Sequence, residues 1–376
     1  MEIKKILKIT AALSTAITLT SCGGANSGGG SAGGDDDETI DAKEVYGCNV
    51  LNIYNWGEYI GEEVIPGFER QFNAKVNYDM FDSNENMYTK LLGGSAYDVL
   101  VPSDYMIERL IKEKMLQPLD METLTNIGAL DPEVVEMQKV YDPDLTYSVP
   151  YFRGSVGIIY NTDHVDPAEV EEKGWEILRD PKYKGRVIMY DSQRDAFMIA
   201  FKALGYSMNT ENEAEIEAAY QWLKELDAAV DPAYLTDEVI DTMIYPDPVN
   251  YKDLAVVYSG DAAYIQYENE NMAYYEPEQG TNVWSDGMVI PKNAGCPGLA
   301  NEFINYVLTY DASYDNSITV GYTSSNKEVK DDIASGEYDG IEAYVPRSGY
   351  AKDEVFRFNE VLVQELSDRW VRVKMD

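Results

Sequence analysis

The chain has 376 residues, 45% of them hydrophobic, enough for two ordinary globular domains with ample core. Its 67 acidic and 30 basic residues leave a formal charge of -37, a field that repels nucleic acid and anionic lipid surfaces and draws cations inward. The single histidine, His164 in the turn-like NTDHVDP, excludes a multi-histidine metal site and leaves a histidine triad only one candidate.

The amino terminus reads as an export signal, with Lys4, Lys5 and Lys8 ahead of the apolar run Ile9 to Leu19. Leu19-Thr20-Ser21-Cys22 resembles a bacterial lipobox, so residues 1–22 are expected to be a lipoprotein signal with Cys22 as the lipid anchor. Residues 23–45, Gly/Ser-rich and then acidic, read as a flexible tether, which puts the start of the fold near Tyr46. No later stretch is long and apolar enough to span a bilayer. Cys48 and Cys296 then remain in an exported, disulfide-permissive compartment. Nothing in the sequence shows that these two meet, and whether they pair is left open.

Val50 to Asn55 reads as a strand that breaks into a loop carrying Trp56, Glu58 and Tyr59. Val64, Phe68 and Phe72 then recur at helical spacing, and Val76, Tyr78 and Met80 alternate as a second strand. Asp82-Ser83-Asn84-Glu85 announces a helix that stops at Gly93-Gly94. The apolar YDVLVP run (97–102) is a buried strand followed by Ser103, Asp104 and Tyr105, ahead of a helix with Ile107, Leu110 and Ile111. An alternating strand follows at 155–160, a helix from Asp166-Pro167, and a strand at 186–190 that leads through Ser192 and Asp195 into a helix ending at Gly205. Ile216 to Leu226 marks another helix, 254–258 a strand ending on Tyr258, and NVWSDGMVIP (282–291) a strand with Trp284 and Asp286 on one face. Leu299 to Val307 is a helix, Tyr322 lies in a short segment after it, and Phe358, Leu362 and Leu366 mark the last helix.

The recurring layout is polar and aromatic residues just past a strand end, which is where open α/β sheets bind ligands. Trp56, Glu58 and Tyr59 offer two aromatic faces and one carboxylate, a set that suits an organic cation. The competing reading makes Trp56 and Tyr59 core aromatics and Glu58 a solvated acid.

Taken in order, YNWGEYI, SNENMYTKL, YDVLVPSDY, YSVPYFRGSVGIIYN, KGRVIMYDSQRD, ALGYS, AVVYSGDA, VWSDGMVIP and VGYTSSN resemble the spermidine/putrescine-binding proteins of bacterial ABC importers. The resemblance covers about residues 49–330. It implies an α/β, two-domain periplasmic-binding-protein-like (type II) fold with crossing segments and a ligand cleft between domains that close by a hinge. The implied domains are 49–152 with 285–329, and 153–284 with 330–376. It also implies ligand contacts at Trp56, Glu58, Tyr59, Ser103, Tyr105, Ser192, Asp195, Tyr258, Trp284, Asp286 and Tyr322, no cofactor, no metal and no catalysis. The implied partners are a polyamine, the membrane permease of an ABC importer and, through the lipid anchor, the extracytoplasmic face of the cell membrane, with a monomeric chain.

Two departures stand out. Ser192 occupies a place where spermidine-binding relatives can carry an aspartate, and Arg357 falls near a glutamine of relatives, where the plain reading has it facing solvent on the last helix. Three other functions compete. Glu58 with Asp195 or Asp286 would have to pose as a glycosidase pair, ferric iron would have to be held by some of the 30 tyrosines, and a surface lipoprotein would have only structural or adhesive roles.

Overall fold

The computed structural model describes residues 39–236 and 238–375; the signal segment with Cys22 and the tether as far as residue 38 lie outside them. Among the described residues, ten strands form the frame: β1 (Val50–Trp56), β2 (Lys75–Phe81), β3 (Val99–Leu100), β4 (Ser148–Asn161), β5 (Val187–Tyr190), β6 (Ala233–Leu235), β7 (Leu254–Tyr258), β8 (Met272–Tyr275), β9 (Val283–Val289) and β10 (Thr323–Ser324). They pair in the order β2-β1-β3-β9-β4-β7-β5-β6, with β8 and β10 also on β4.

β4 joins the two halves. Ser148 to Ser155 pairs antiparallel with β9, and Val156 to Asn161 pairs with β7 and β8. The register slips between Pro150 and Phe152, where proline has no N–H to give the ladder. All fourteen residues of β4 are buried, so the alternation expected at 155–160 gives way to a strand covered on both faces. On one side, Leu51, Ile53, Phe68, Val99, Met288 and Phe303 share a core. Beyond Val156, a separate core gathers Trp175, Phe197, Trp222 and Val256 with Leu366 and Trp370 of the last helix.

Most expected elements are present, including the helices Val64–Phe72, Asn84–Leu92 and Gln193–Ala203. Ser83 caps the second of these by accepting the Asn86 N–H at 3.2 Å. The 97–102 strand shortens to two residues, and Phe358 precedes the last helix, Glu360–Val373, whose cap is Asn359.

The structure changes or completes the sequence reading at three places. The fold starts before Tyr46: Ile40 donates its N–H to Gln71 at 2.8 Å, Asp41 caps the helix Ala42–Tyr46, and Ala42 is buried. Cys48 and Cys296 are bonded to each other, with 6.1 Å between their Cα atoms. Their 248-residue separation hides the pairing, but buried Asp98 draws the two segments together, accepting from Asn52 N and Cys296 N at 2.8 Å each. Arg357 is exposed, as expected, but lies before the last helix and not on it, and it donates to Glu108 Oε1 at 2.6 Å. Glu108 is buried on the helix Asp104–Lys112 and needs a counter-charge there.

A bond closing so long a loop removes much denatured-state freedom. The paired substitution Cys48→Ala with Cys296→Ala should lower the unfolding free energy by about 2–5 kcal/mol, measured by urea melts against the oxidised wild type; an unchanged midpoint would mean that the link adds nothing to stability.

Candidate functional site

Strand ends from both halves meet around a cleft of about 600 Å³. All eleven side chains singled out from the sequence line it: Trp56, Glu58, Tyr59, Ser103, Tyr105, Ser192, Asp195, Tyr258, Trp284, Asp286 and Tyr322. They arrive on different elements. Trp56 ends β1, Ser103 and Tyr105 open the helix after β3, Tyr258 ends β7, and Trp284 and Asp286 alternate onto one face of β9.

The aromatic wall is interlocked. Tyr59 stands edge-on to Tyr322 with centroids 5.9 Å apart, Tyr322 to Trp284 at 5.2 Å, and Trp284 to Tyr258 at 6.1 Å, spacings that suit the ring quadrupoles. Trp56 rests on Phe81 at 4.5 Å and fixes its indole by donating to Val101 O at 2.9 Å. Two glycines let the wall pack this tightly. A Cβ at Gly154 would lie 2.3 Å from the Trp284 ring, and one at Gly260 2.3 Å from Tyr322.

Each half supplies a buried carboxylate held by a phenol. Asp286 accepts from Tyr59 Oη at 2.7 Å, and Asp195 accepts from Tyr258 Oη at 2.8 Å. Burial pushes Asp286 up to about 6, against the pull of the Tyr59 and Ser103 hydrogen bonds. Asp195 is also raised by burial, with Ser192 and Tyr258 opposing. A neutral hydroxyl does not replace the water that a buried carboxylate loses, so both sites gain from a cation. Glu58 differs: it is exposed at the cleft rim with φ of 50°, a left-handed conformation that side-chain-bearing residues adopt at a cost and that recurs at functional sites. Ser192 caps the helix Gln193–Ala203, accepting the Asp195 N–H at 3.4 Å.

The structure adds residues that the sequence reading passed over. Asp82, Asp104, Asp261 and Arg194 also line the cleft, as do Phe81, Tyr190 and Phe356. Asp82 and Asp261 follow β2 and β7, so the strand-end rule that found the others covers them too. Asp261 accepts from Tyr190 and Tyr322 hydroxyls at 3.1 and 3.4 Å. Asp104 is fully buried, bonds through one oxygen to the Tyr105 N–H at 2.6 Å, and has no partner for the other. Its burial and the nearby Asp286 charge push its carboxyl well above the usual range. Phe356 comes from the tail, where nothing in the sequence signals a contact. Among the described residues, no group of three or more His, Cys, Asp or Glu side chains is arranged to hold a metal ion.

Residues 63–342 match the model of the bacterial extracellular solute-binding protein family. The chain belongs to that family. Among proteins similar to it is the spermidine/putrescine-binding periplasmic protein of Escherichia coli, 36% identical over 280 residues that cover 74% of this chain and 78% of the other. Solved structures agree. A spermidine/putrescine ABC transporter protein of Listeria monocytogenes superposes with a TM-score of 0.75 at 35% identity, covering 87% of this chain and 99% of that one. A lipoprotein of Treponema pallidum superposes at 0.74 with 25% identity, covering 86% and 99%. The solute-binding fold is thus the two-domain α/β type with a cleft between the domains, and the cavity described above occupies that cleft.

The charge state of Asp286 is testable without any ligand. Because its carboxyl titrates near 6 in the fold and near 3.8 otherwise, the native state holds more protons than the unfolded chain between those values. The empty protein therefore loses stability as pH rises through that window, and the full cost persists above pH 6. Asp286→Asn should be more stable than wild type near pH 7.5 and no more stable near pH 4, compared by denaturant melts; a difference independent of pH would show that Asp286 is not held in a raised state.

Proposed function

We propose that this protein captures a polyamine, putrescine or spermidine, in the interdomain cleft and delivers it to the permease of an ABC importer. The observation that carries the reading is the pair of buried carboxylates, Asp286 with Tyr59 and Asp195 with Tyr258, set on opposite halves of one aromatic-walled cleft. An ammonium at each acid restores the charge that burial strips of solvent, and the methylenes between them lie along Trp284, Tyr258 and Tyr322. The names of its spermidine/putrescine-binding relatives support the same ligand class. The acidic chain as a whole concentrates cations near the cleft and speeds capture.

The domains in this reading are residues 49–152 with 285–329 and residues 153–284 with 330–376, closing about the segments that cross between them. The eleven side chains named from the sequence are the proposed contacts. Catalysis has no part in the proposal, since solute-binding proteins hand over an unchanged ligand. Ferric iron is disfavoured by chemistry: burial raises the phenols of Tyr59, Tyr190, Tyr258 and Tyr322 well above their usual value, which opposes the phenolate that iron requires.

Calorimetry tests the site. Asp286→Asn should weaken polyamine binding by about 2–5 kcal/mol, the cost of stripping a desolvated cation of its acid, and by more than Tyr322→Phe. Wild-type binding should also weaken as pH falls through about 6, because the empty cleft then keeps the proton that a cation must displace. Affinity of Asp286→Asn equal to wild type would remove Asp286 from the contact set.

The chain is further proposed to work as a monomer on the extracytoplasmic side, lipid-anchored through Cys22. Lipoproteins carry several acyl chains there, as stable attachment demands. Cys22→Ala should move the protein from the membrane fraction to the soluble one without changing polyamine affinity; continued membrane association would overturn the anchor.

A further inference from the structure

We infer that Tyr151 is a positioning residue of the cleft: set out of register on the strand that joins the two halves, it fixes the loop 57–61 and so aims the Tyr59 hydroxyl at Asp286. Its consequence for the ligand rests on the polyamine reading above; the geometry does not. The ladder between β4 and β9 pairs Pro150 with Gly287 and Phe152 with Asp286, which leaves Tyr151 as the extra residue. Such a bulge re-aims a side chain. Consecutive residues of a regular strand face opposite ways, yet here both rings stand edge-on to Tyr59, with centroid distances of 5.7 Å for Tyr151 and 5.1 Å for Phe152. Tyr151 Oη thereby reaches the loop backbone and donates to Tyr59 O at 2.7 Å.

The same loop is held at two further points. Asn55 Nδ2 donates to Tyr59 O at 3.1 Å, and Gly61 N donates to Asn316 Oδ1 at 2.6 Å. Asn316 is buried on the helix Tyr310–Val320, and its Nδ2 has no partner among the described residues. Reversing that amide would set two donors against each other, so the Gly61 contact decides its orientation. Only glycine allows the approach, since a Cβ at Gly61 would lie 2.2 Å from Asp315 Oδ2 and 2.8 Å from the Asp315 backbone carbon. Glu58, one residue before Tyr59, has φ of 50°, a conformation that persists where the surroundings impose it. The loop is therefore clamped at the backbone of residues 59 and 61, and the Tyr59 side chain carries that order to Asp286 at 2.7 Å.

The Tyr59 hydroxyl pulls the Asp286 carboxyl down against its burial. The other titratable groups facing Asp286 are Asp104 on the helix Asp104–Lys112, Tyr141, Tyr151 and Tyr322, all of them pushed up by their own burial. Loosening the loop weakens the Tyr59 bond, and Asp286 then holds its proton to higher pH. A Tyr151 with only a packing role would lower stability and leave the Asp286 midpoint where it is.

The test follows the Asp286 carboxyl by carboxyl-carbon NMR in ligand-free protein labelled at aspartate, its signal assigned by its loss in Asp286→Asn. Tyr59→Phe deletes the bond outright and should raise the midpoint by about one to two pH units. Tyr151→Phe, which keeps the ring, should raise it by part of that, about half a unit or more; Asn316→Ala should act in the same direction and serves if Tyr151→Phe does not fold. The double variant Tyr59→Phe with Tyr151→Phe should titrate like Tyr59→Phe alone, because Tyr151 acts through Tyr59. An unchanged midpoint in folded Tyr151→Phe, or a further rise in the double variant, overturns the positioning role. Putrescine calorimetry on the same proteins reads the consequence: the pH below which affinity falls should move up with the midpoint. Wild-type protein that does not bind putrescine overturns the polyamine reading alone, since the NMR midpoints are measured without ligand.

Discussion

Two carboxylates shut away from water with one phenol each set the terms for the rest of this molecule. A carboxylate in a protein interior needs either several donors or a counter-charge, and Asp286 and Asp195 have neither in full. Tyr59 and Tyr258 hold the acids in place without neutralising them. The interlocked rings and the close-approach glycines keep the surrounding wall apolar, which keeps the acids undersolvated. Elsewhere the fold handles buried charge conventionally. Glu108 receives Arg357 and the Phe358 N–H, and Asp253 receives Arg186 and His164. The contrast is the physical basis of the proposed cation site.

Much of this is legible in the sequence. The strands ending at Trp56 and Tyr258, and the β9 alternation that turns Trp284 and Asp286 to one side, follow from local patterning and the strand-end rule. Resemblance to a family of importer binding proteins then gathers residues from remote elements, which periodicity alone does not do. What escapes is long-range and many-bodied. The Cys48–Cys296 bond depends on Asp98 drawing together segments that no local signal connects. The exposure of Arg357 is legible, but its place ahead of the last helix is not, because its neighbour Phe358 falls at helical spacing with Leu362 and Leu366, and nothing local announces Glu108, its buried partner on a helix far away in the chain. Asp104 sits in plain view between two chosen residues, but its burial and its unpartnered oxygen are tertiary facts.

The division of labour along β4 explains how one chain builds a cleft. A strand covered on both faces belongs to neither core alone: its first half completes the ladder with β9 and its second half the ladders with β7 and β8. The site residues therefore sit on two packed bodies linked through continuous backbone. In the proposed reading, a change in the angle between those bodies would alter the distance from Asp286 to Asp195 and so couple ligand length to closure.

The covalent link at the start of β1 has a mechanical side. If the chain is held by its amino terminus, tension travels along the tether and reaches Cys48 before it reaches the first sheet strand. From there it divides, passing through Cys296 into the helix Pro297–Val307, which packs into the first core. Pulling can strip away the short helix Ala42–Tyr46, but β1 is not peeled from its neighbours by its leading end. A receptor anchored in this way would pass drag to a packed body before it reached the first strand.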